Sequence, residues 1–259
     1  EGAGTGTLII EGVPRLSPYL AVLAQDADRL GEKLGNAEFA RGTMRNWHGQ
    51  VSRALAEAGR RQRMAVESRE CLGKVVYAGG DDLLALLPLA TAVKAARKSF
   101  TAFQTAVAKV LPGASISTAI VFFHVSSPLQ SVVATAQNLL EEAKKRNRPG
   151  VAISVLHRGG ERATWIAPWE ENTVESLSTL AAAMSDEGSL SARLAMELER
   201  DRAELETLDS EWLEMELFRR AARHGISEPG ARALAALSRD RGYTDALLVA
   251  RFLAAEGTW

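Results

Sequence analysis

The chain has 259 residues, with 31 Lys and Arg against 32 Asp and Glu for a net charge of −1, and it is 46% hydrophobic and 24% charged. That is an ordinary globular composition, and the near-neutral balance argues against a protein that grips nucleic acid through bulk positive charge. The single cysteine, Cys71, excludes an internal disulfide and a thiolate zinc cluster, and the four scattered histidines (His48, His124, His157 and His224) offer no HxH or HExxH spacing for a metal.

No apolar run approaches the ~20 residues needed to span a bilayer. The opening EGAGTGTLIIEG lacks the basic start and long apolar core of a signal peptide. The expectation is a cytoplasmic protein with no membrane partner. Charge is uneven along the chain. Residues 41–69 carry seven arginines, Lys144, Lys145, Arg146 and Arg148 form a second basic cluster, and residues 197–216 are mostly acidic. Solvated helix faces account for most of these residues.

In chain order, Tyr19 to Ala24 (YLAVLA) is expected to be a short buried strand, ending at QDADRLG. An Arg-rich helical segment follows from about Glu38 to Met64. Lys74 to Ala78 is a second strand, Gly79–Gly80 a tight turn, and Leu83 to Leu87 a third strand. A helix from about Leu89 to Leu111 places Val93, Ala96, Phe100, Phe103, Val107 and Val110 at steps of three and four. Ser115 to His124 is a fourth strand, and a helix from about Pro128 to Lys145 follows. VAISVLH and RATWIAP form a hairpin around Gly159–Gly160. Beyond about Glu170 strand signals vanish, and residues 175–256 are expected to be helical, with a Ser227 cap, Pro229 in a first turn and breaks near Gly188, Gly225 and Gly242. The expected class is α+β: a ferredoxin-like β-α-β-β-α-β unit in residues 1–169, then an all-α C-terminal domain in residues 170–259.

The hairpin VVYAGGDDLLALLP raises a question, because turn chemistry alone explains two glycines and tolerates one aspartate. A β-α-β crossover returns to the same end of the sheet, and in a split β-α-β unit the third strand inserts between the first two. Asp26, at the exit of the first strand, therefore lands beside Asp81 and Asp82 at the hairpin tip, since neighbouring strands are ~5 Å apart. Converging carboxylates repel unless a cation neutralises them. Mg²⁺ (or Mn²⁺), which takes oxygen ligands and shares its shell with phosphates, is the natural candidate. Gly79 and Gly80 also let a triphosphate approach the backbone closely.

AGGDD between two apolar strands, with QDADRLG upstream, resembles the polymerase-like palm of the large subunit of type III CRISPR effector complexes. More distantly it is similar to the diguanylate cyclase domain. The resemblance covers roughly residues 15–168, and the helical remainder is similar to that subunit's C-terminal domain only in its helical character. It implies an enzyme, a metal-dependent nucleotidyltransferase that converts ATP into cyclic oligoadenylate when the complex senses target RNA. It also implies partners: other effector subunits, including a small helical one, with guide RNA and target RNA met mostly through the complex. Carried over by position, Asp26, Asp81 and Asp82 would be the catalytic metal ligands, assisted by the Ala27 carbonyl. Gly79 and Gly80 would lie against the nucleotide, Lys144 and Arg148 on its triphosphate, and Ser52 near the adenine.

Departures narrow that reading. Asp82 and Leu83 stand where a diguanylate cyclase has Glu-Phe, and ECLG replaces the expected Arg-x-x-Asp inhibitory site. The HD nuclease and the first palm-like domain normal to the large subunit are not in this chain, which reads as a C-terminal portion. The alternatives are a catalytically silent palm serving as assembly scaffold and a diguanylate-cyclase-like enzyme. Several further residues carry a plainer expectation. Asp28 is a second-sphere ligand or the cap of the helix that follows, and His124 is a core or rim histidine. Trp165, Trp169 and Trp212 pack between the sheet and the helical lobe, and Phe100 and Phe103 belong to the core.

Overall fold

The computed structural model describes residues 17–35, 43–157, 162–170, 172–186, 192–237 and 242–256. Six strands form one sheet: β1 (Tyr19–Ala27), β2 (Lys74–Gly79), β3 (Asp82–Pro88), β4 (Ile116–His124), β5 (Gly150–Leu156) and β6 (Arg162–Pro168). Their order is β2-β3-β1-β4-β5-β6. β1 is antiparallel to β3 and β4, so β3 sits between β1 and β2 as the split β-α-β reading requires. β5 runs parallel to β4, and β6 closes the sheet as an antiparallel edge. The ferredoxin-like unit is thus extended by one more crossover and a hairpin, whose Gly159–Gly160 turn lies outside the described residues.

Helices α1 (Leu30–Gly35), α2 (Met44–Val66), α3 (Leu89–Val107) and α4 (Leu129–Arg146) belong to this half of the chain. The central strand β4 is buried at every position but its last, as a strand covered on both faces must be. Alternation assigns its side chains. Ala119, Val121 and Phe123, with Val22 and Ala24 of β1, pack under Val132, Ala136, Leu139 and Leu140 of α4. Ile120 and Phe122, with Ala21 and Leu23, face the opposite layer. Phe100 and Phe103 are buried with Val51, Val107 and Ile116 where α2 crosses α3.

The second half contains α5 (Thr173–Asp186), α6 (Ala192–Arg200), α7 (Arg202–Leu205), α8 (Ser210–Arg223), α9 (Glu228–Ala236) and α10 (Tyr243–Glu256). The expected Ser227 is the N-cap residue of α9, with Pro229 in the first turn. Gly225 takes φ +79° after α8, and the Ile226 amide returns to the Ala221 carbonyl at 3.1 Å, which stops that helix. The expected break at Gly188 lies outside the described residues. Leu177, Leu180, Leu247, Phe252 and Leu253 share one buried cluster with Ile153, Trp165 and Phe122 of the sheet. Trp165 is enclosed where α10 begins: a Cβ on Gly242 would lie 3.2 Å from its ring.

Two expectations need correction. β1 continues through Gln25, Asp26 and Ala27, because it pairs on both sides to its end. Trp212 does not pack between sheet and helices: it is exposed on α8, while Leu213 and Leu217 turn inward. Trp165 is buried, Trp169 stacks on Phe100 at 4.5 Å, and His124 packs edge-on against Tyr19 at the sheet rim, as expected.

Candidate active site

The register places Asp26 directly opposite Asp82 on one side and Ser117 on the other. Directly opposed residues of antiparallel strands point to the same face with Cβ atoms ~5 Å apart. The three form a row across the sheet end, on the parity of Val22 and Ala24 and therefore on the α4 face. The hairpin tip is fastened to β1 by the Ala27 amide, which donates to the Asp81 carbonyl at 3.1 Å. Gly80 adopts φ +67°, a conformation that strains any other side chain, so the second glycine is needed by the turn itself. Gly79 pairs with Asp82.

The last turn of α4 overhangs this row. Lys144 forms an ion pair with Asp26 and lies 3.5 Å from Glu141, with its side chain only 12% exposed. Burial, and secondly the Arg148 guanidinium, hold the Lys144 ammonium below the ordinary lysine value. Arg148 reaches back so that its Nε donates to the Lys144 carbonyl at 2.8 Å. The three basic residues in the last turn of α4, Lys144, Lys145 and Arg146, also suit its partial negative charge.

Two polar networks, neither predicted from the sequence, fix this end of the sheet. Asp28 is buried, and its two oxygens accept the hydroxyls of Ser117 and Ser115, each at 2.7 Å. The Ser117 hydroxyl in turn accepts the Gly150 amide at 3.2 Å, tying the β1 exit to the start of β5. Both carboxylate oxygens are thus taken by serines at the start of β4, one in the strand and one just before it, and the helix-cap expectation for Asp28 is replaced by this role. On the opposite face Gln25 is buried among α2, α3 and β4. Its Nε2 donates to Thr118 Oγ1 at 2.9 Å and to the Ala96 carbonyl at 3.3 Å, and its Oε1 accepts Ser99 Oγ at 2.6 Å and Gln62 Nε2 at 3.3 Å.

Helix α2 meets the hairpin at Gly59, where an added Cβ would lie 3.4 Å from the Ala78 carbonyl. The residues before Gly59 run past the tip. Ser52, exposed, stands seven positions earlier on the stripe that touches the hairpin. The structure therefore gathers Asp26, Ala27, Gly79, Gly80, Asp81, Asp82, Lys144 and Arg148 at one end of the sheet, with Ser52 beyond the tip.

Among the described residues no three carboxylate, histidine or cysteine side chains are preassembled as a metal cluster. The donor chemistry nevertheless suits a hard divalent cation. The groups at hand are carboxylates and a backbone carbonyl, with no soft ligand among them, and Asp26 already holds a cation in the Lys144 ammonium.

Known proteins share this fold. Residues 19–152 match the family model Cas10/Cmr2, second palm domain. The CRISPR system Cmr subunit Cmr2 of Pyrococcus furiosus is 36% identical over 130 residues, 48% of this chain and 14% of that protein. The chain thus spans about one seventh of the curated relative. A chain of a type III-B Cmr-beta complex bound to cognate target RNA superposes with TM-score 0.63 at 16% identity, over 92% of this chain and 39% of its own. A chain of a Csm1–Csm4 cassette in complex with cA4 superposes with TM-score 0.52 at 17% identity, over 91% of this chain and 36% of its own. The same cassette in complex with one ATP gives TM-score 0.50. The chain belongs to the Cas10/Cmr2 family and carries its second palm domain.

Proposed function

We propose that this palm transfers nucleotidyl groups from ATP, with Asp26, Asp81 and Asp82 as cation ligands, and yields cyclic oligoadenylate within a type III CRISPR effector complex. The observation that carries the reading is the Asp26–Asp82 pair on adjacent strands, facing Lys144 at the end of α4. Support also comes from a fold neighbour seen with cA4 and with ATP. The bond formed joins a 3′-hydroxyl to an α-phosphorus, and the bond broken releases pyrophosphate. Mg²⁺ or Mn²⁺, when bound, would supply charge neutralisation at the phosphates and lower the proton affinity of the attacking hydroxyl.

The chain's own contribution is positioning. Asp26, Asp82 and the Ala27 carbonyl present oxygens at the strand ends, and Asp81 stands at the adjoining tip. Gly79 and Gly80 let the triphosphate lie close to the hairpin. Lys144 and Arg148 meet its negative charge, which is most of what phosphoryl-transfer catalysis requires of a protein. Ser52, on the overhanging part of α2, flanks the base. Residues 1–169 act as the palm and residues 170–259 as a helical domain toward partner subunits, a small helical subunit among them, with RNA met through the assembled cytoplasmic complex.

A catalytically silent scaffold has no use for aspartates paired across strands beneath a lysine. A diguanylate cyclase reading has no observation in its favour here. The test is incubation of the protein, alone and in its complex, with labelled ATP or GTP and Mg²⁺. Cyclic oligoadenylate from ATP supports the reading, and product from GTP alone, or no product in the assembled and RNA-stimulated complex, contradicts it.

A further inference from the structure

The two roles assigned above to Asp26 and Lys144 compete for one place. Asp26, next to the last residue of β1, carries a carboxylate expected to hold a divalent cation, yet the Lys144 ammonium sits on that carboxylate. The pair is not a loose surface contact. The Lys144 side chain is 12% exposed and that of Asp26 23%. The lysine stem descends from a turn anchored by the buried Leu139, Leu140 and Ala143. The backbone below Asp26 is held by its pairing to Asp82 and Ser117, and the next strand start is held through Gly150 on the Ser117 hydroxyl. Lys144 has a second carboxylate, Glu141, within 3.5 Å and one turn back on α4, so it has somewhere to go when it leaves Asp26. Arg148, by contrast, is engaged on the Lys144 carbonyl.

We infer that Lys144 is a built-in counter-ion that holds the cation position at Asp26 closed in the nucleotide-free protein and must be displaced before a divalent cation binds there. The inference rests on the reading of Asp26 and Asp82 as cation ligands and adds an order to it. The resting site is neutralised by the protein's own ammonium. A triphosphate that draws Lys144 away frees Asp26 for the cation travelling with it. Because each ligand removes the obstacle to the other, cation and nucleotide bind with positive coupling, and the nucleotide-free palm has low affinity for the bare ion.

The experiment is Mn²⁺ binding to the nucleotide-free protein, followed by the paramagnetic resonance of the free ion. Wild type is compared with Lys144→Met, Lys144→Gln, Arg148→Met and Asp26→Asn, each checked for a native circular dichroism spectrum. Met and Gln retain the length of the lysine stem but not its charge, so at least one folded variant is available. The expected result is Mn²⁺ binding roughly tenfold tighter in the Lys144 variants, equivalent to about 1.4 kcal/mol, removed by adding Asp26→Asn, and little changed by Arg148→Met. Unchanged or weaker binding in the Lys144 variants overturns the counter-ion role. Equal tightening by Arg148→Met also overturns it, since the effect would then be the general field of two cations. Both of these outcomes leave the carboxylate site standing. Mn²⁺ binding that Asp26→Asn fails to remove in any background overturns the cation site itself, and the inference with it.

Discussion

Gln25 immediately precedes the first candidate ligand, and its replacement by Leu tests whether the polar network beneath the site holds the site in place. The amide makes four hydrogen bonds, to Ala96, Thr118, Ser99 and Gln62, and is 1% exposed. Leu is close to Gln in size, so the loss is polar rather than a cavity. Ser99 lies within α3 and can turn its hydroxyl to the carbonyl one turn back. Gln62, 3% exposed, has no such recourse, and its amide is stranded together with the Thr118 hydroxyl oxygen, which loses the Gln25 donor. A stranded buried polar group costs about 1–3 kcal/mol, so the expected destabilisation is about 3 kcal/mol, read as a lower urea midpoint at unchanged slope. Replacing Gln62 by Leu as well removes both partners and should recover about 1 kcal/mol or more, because apolar pairs of similar shape are nearly neutral. A single-variant loss below about 0.5 kcal/mol, or strict additivity of the two changes, would refute the reasoning.

Gly150→Ala should destabilise by about 1–3 kcal/mol, because its Cβ would lie 2.6 Å from the Asn147 carbonyl and 2.8 Å from that of Ala143, both backbone. The displaced turn carries Lys144, so Mn²⁺ affinity should shift with it. In the helical half, hydrogen bonds from Arg200 and Arg220 hold the Asp201 carboxyl down to about 2, and those from Arg219 and Arg220 do the same for Glu216, also to about 2. Both folded values lie below the ordinary ones of 3.8 and 4.5, so the stabilisation is fully present above about pH 4.5 and is lost as the pH falls through about 2. Glu216→Gln should flatten the urea midpoint across that window, and an unchanged slope would contradict the assignment. Leu217→Ala should cost about 2–4 kcal/mol, whereas Trp212→Ser, on an exposed ring, should stay within about 0.5 kcal/mol; thermal melts of the two separate buried from exposed on α8.

Hydrophobic alternation made the order of strands and crossover helices legible, and strand topology then brought Asp26 to the hairpin without any contact being visible in the sequence. What alternation could not show is what polar residues do once buried. Gln25, Ser99 and Thr118 read as interruptions of apolar stripes, yet their packing partners make them the bolts of the β1 exit. Asp28 reads as a second-sphere ligand or as a cap, since helix starts favour aspartate, whereas Ser115 and Ser117, more than eighty residues away, take both its oxygens. Lys144 was legible as a cation one helical turn from Arg148, but its resting place on Asp26 depends on how far α4 extends over the sheet, which no spacing rule gives. Trp212 misled because an indole in an apolar group is expected to be buried. Its neighbours Leu213 and Leu217 occupy the inward stripe of α8, and residue 212 falls outside it. The acidic run 197–216 is likewise less bare than its composition suggested, since Glu197, Asp201 and Glu216 all face arginines.

The central claim is that aspartates at one sheet end perform nucleotidyl transfer. The direct test is pyrophosphate release from ATP by the assembled complex with target RNA and Mg²⁺, comparing wild type with Asp26→Asn and with the Asp81→Ala, Asp82→Ala double variant. The account predicts loss of at least a thousandfold in rate in both variants, about 4 kcal/mol of transition-state stabilisation, with assembly unchanged. Wild-type turnover by either variant would contradict it.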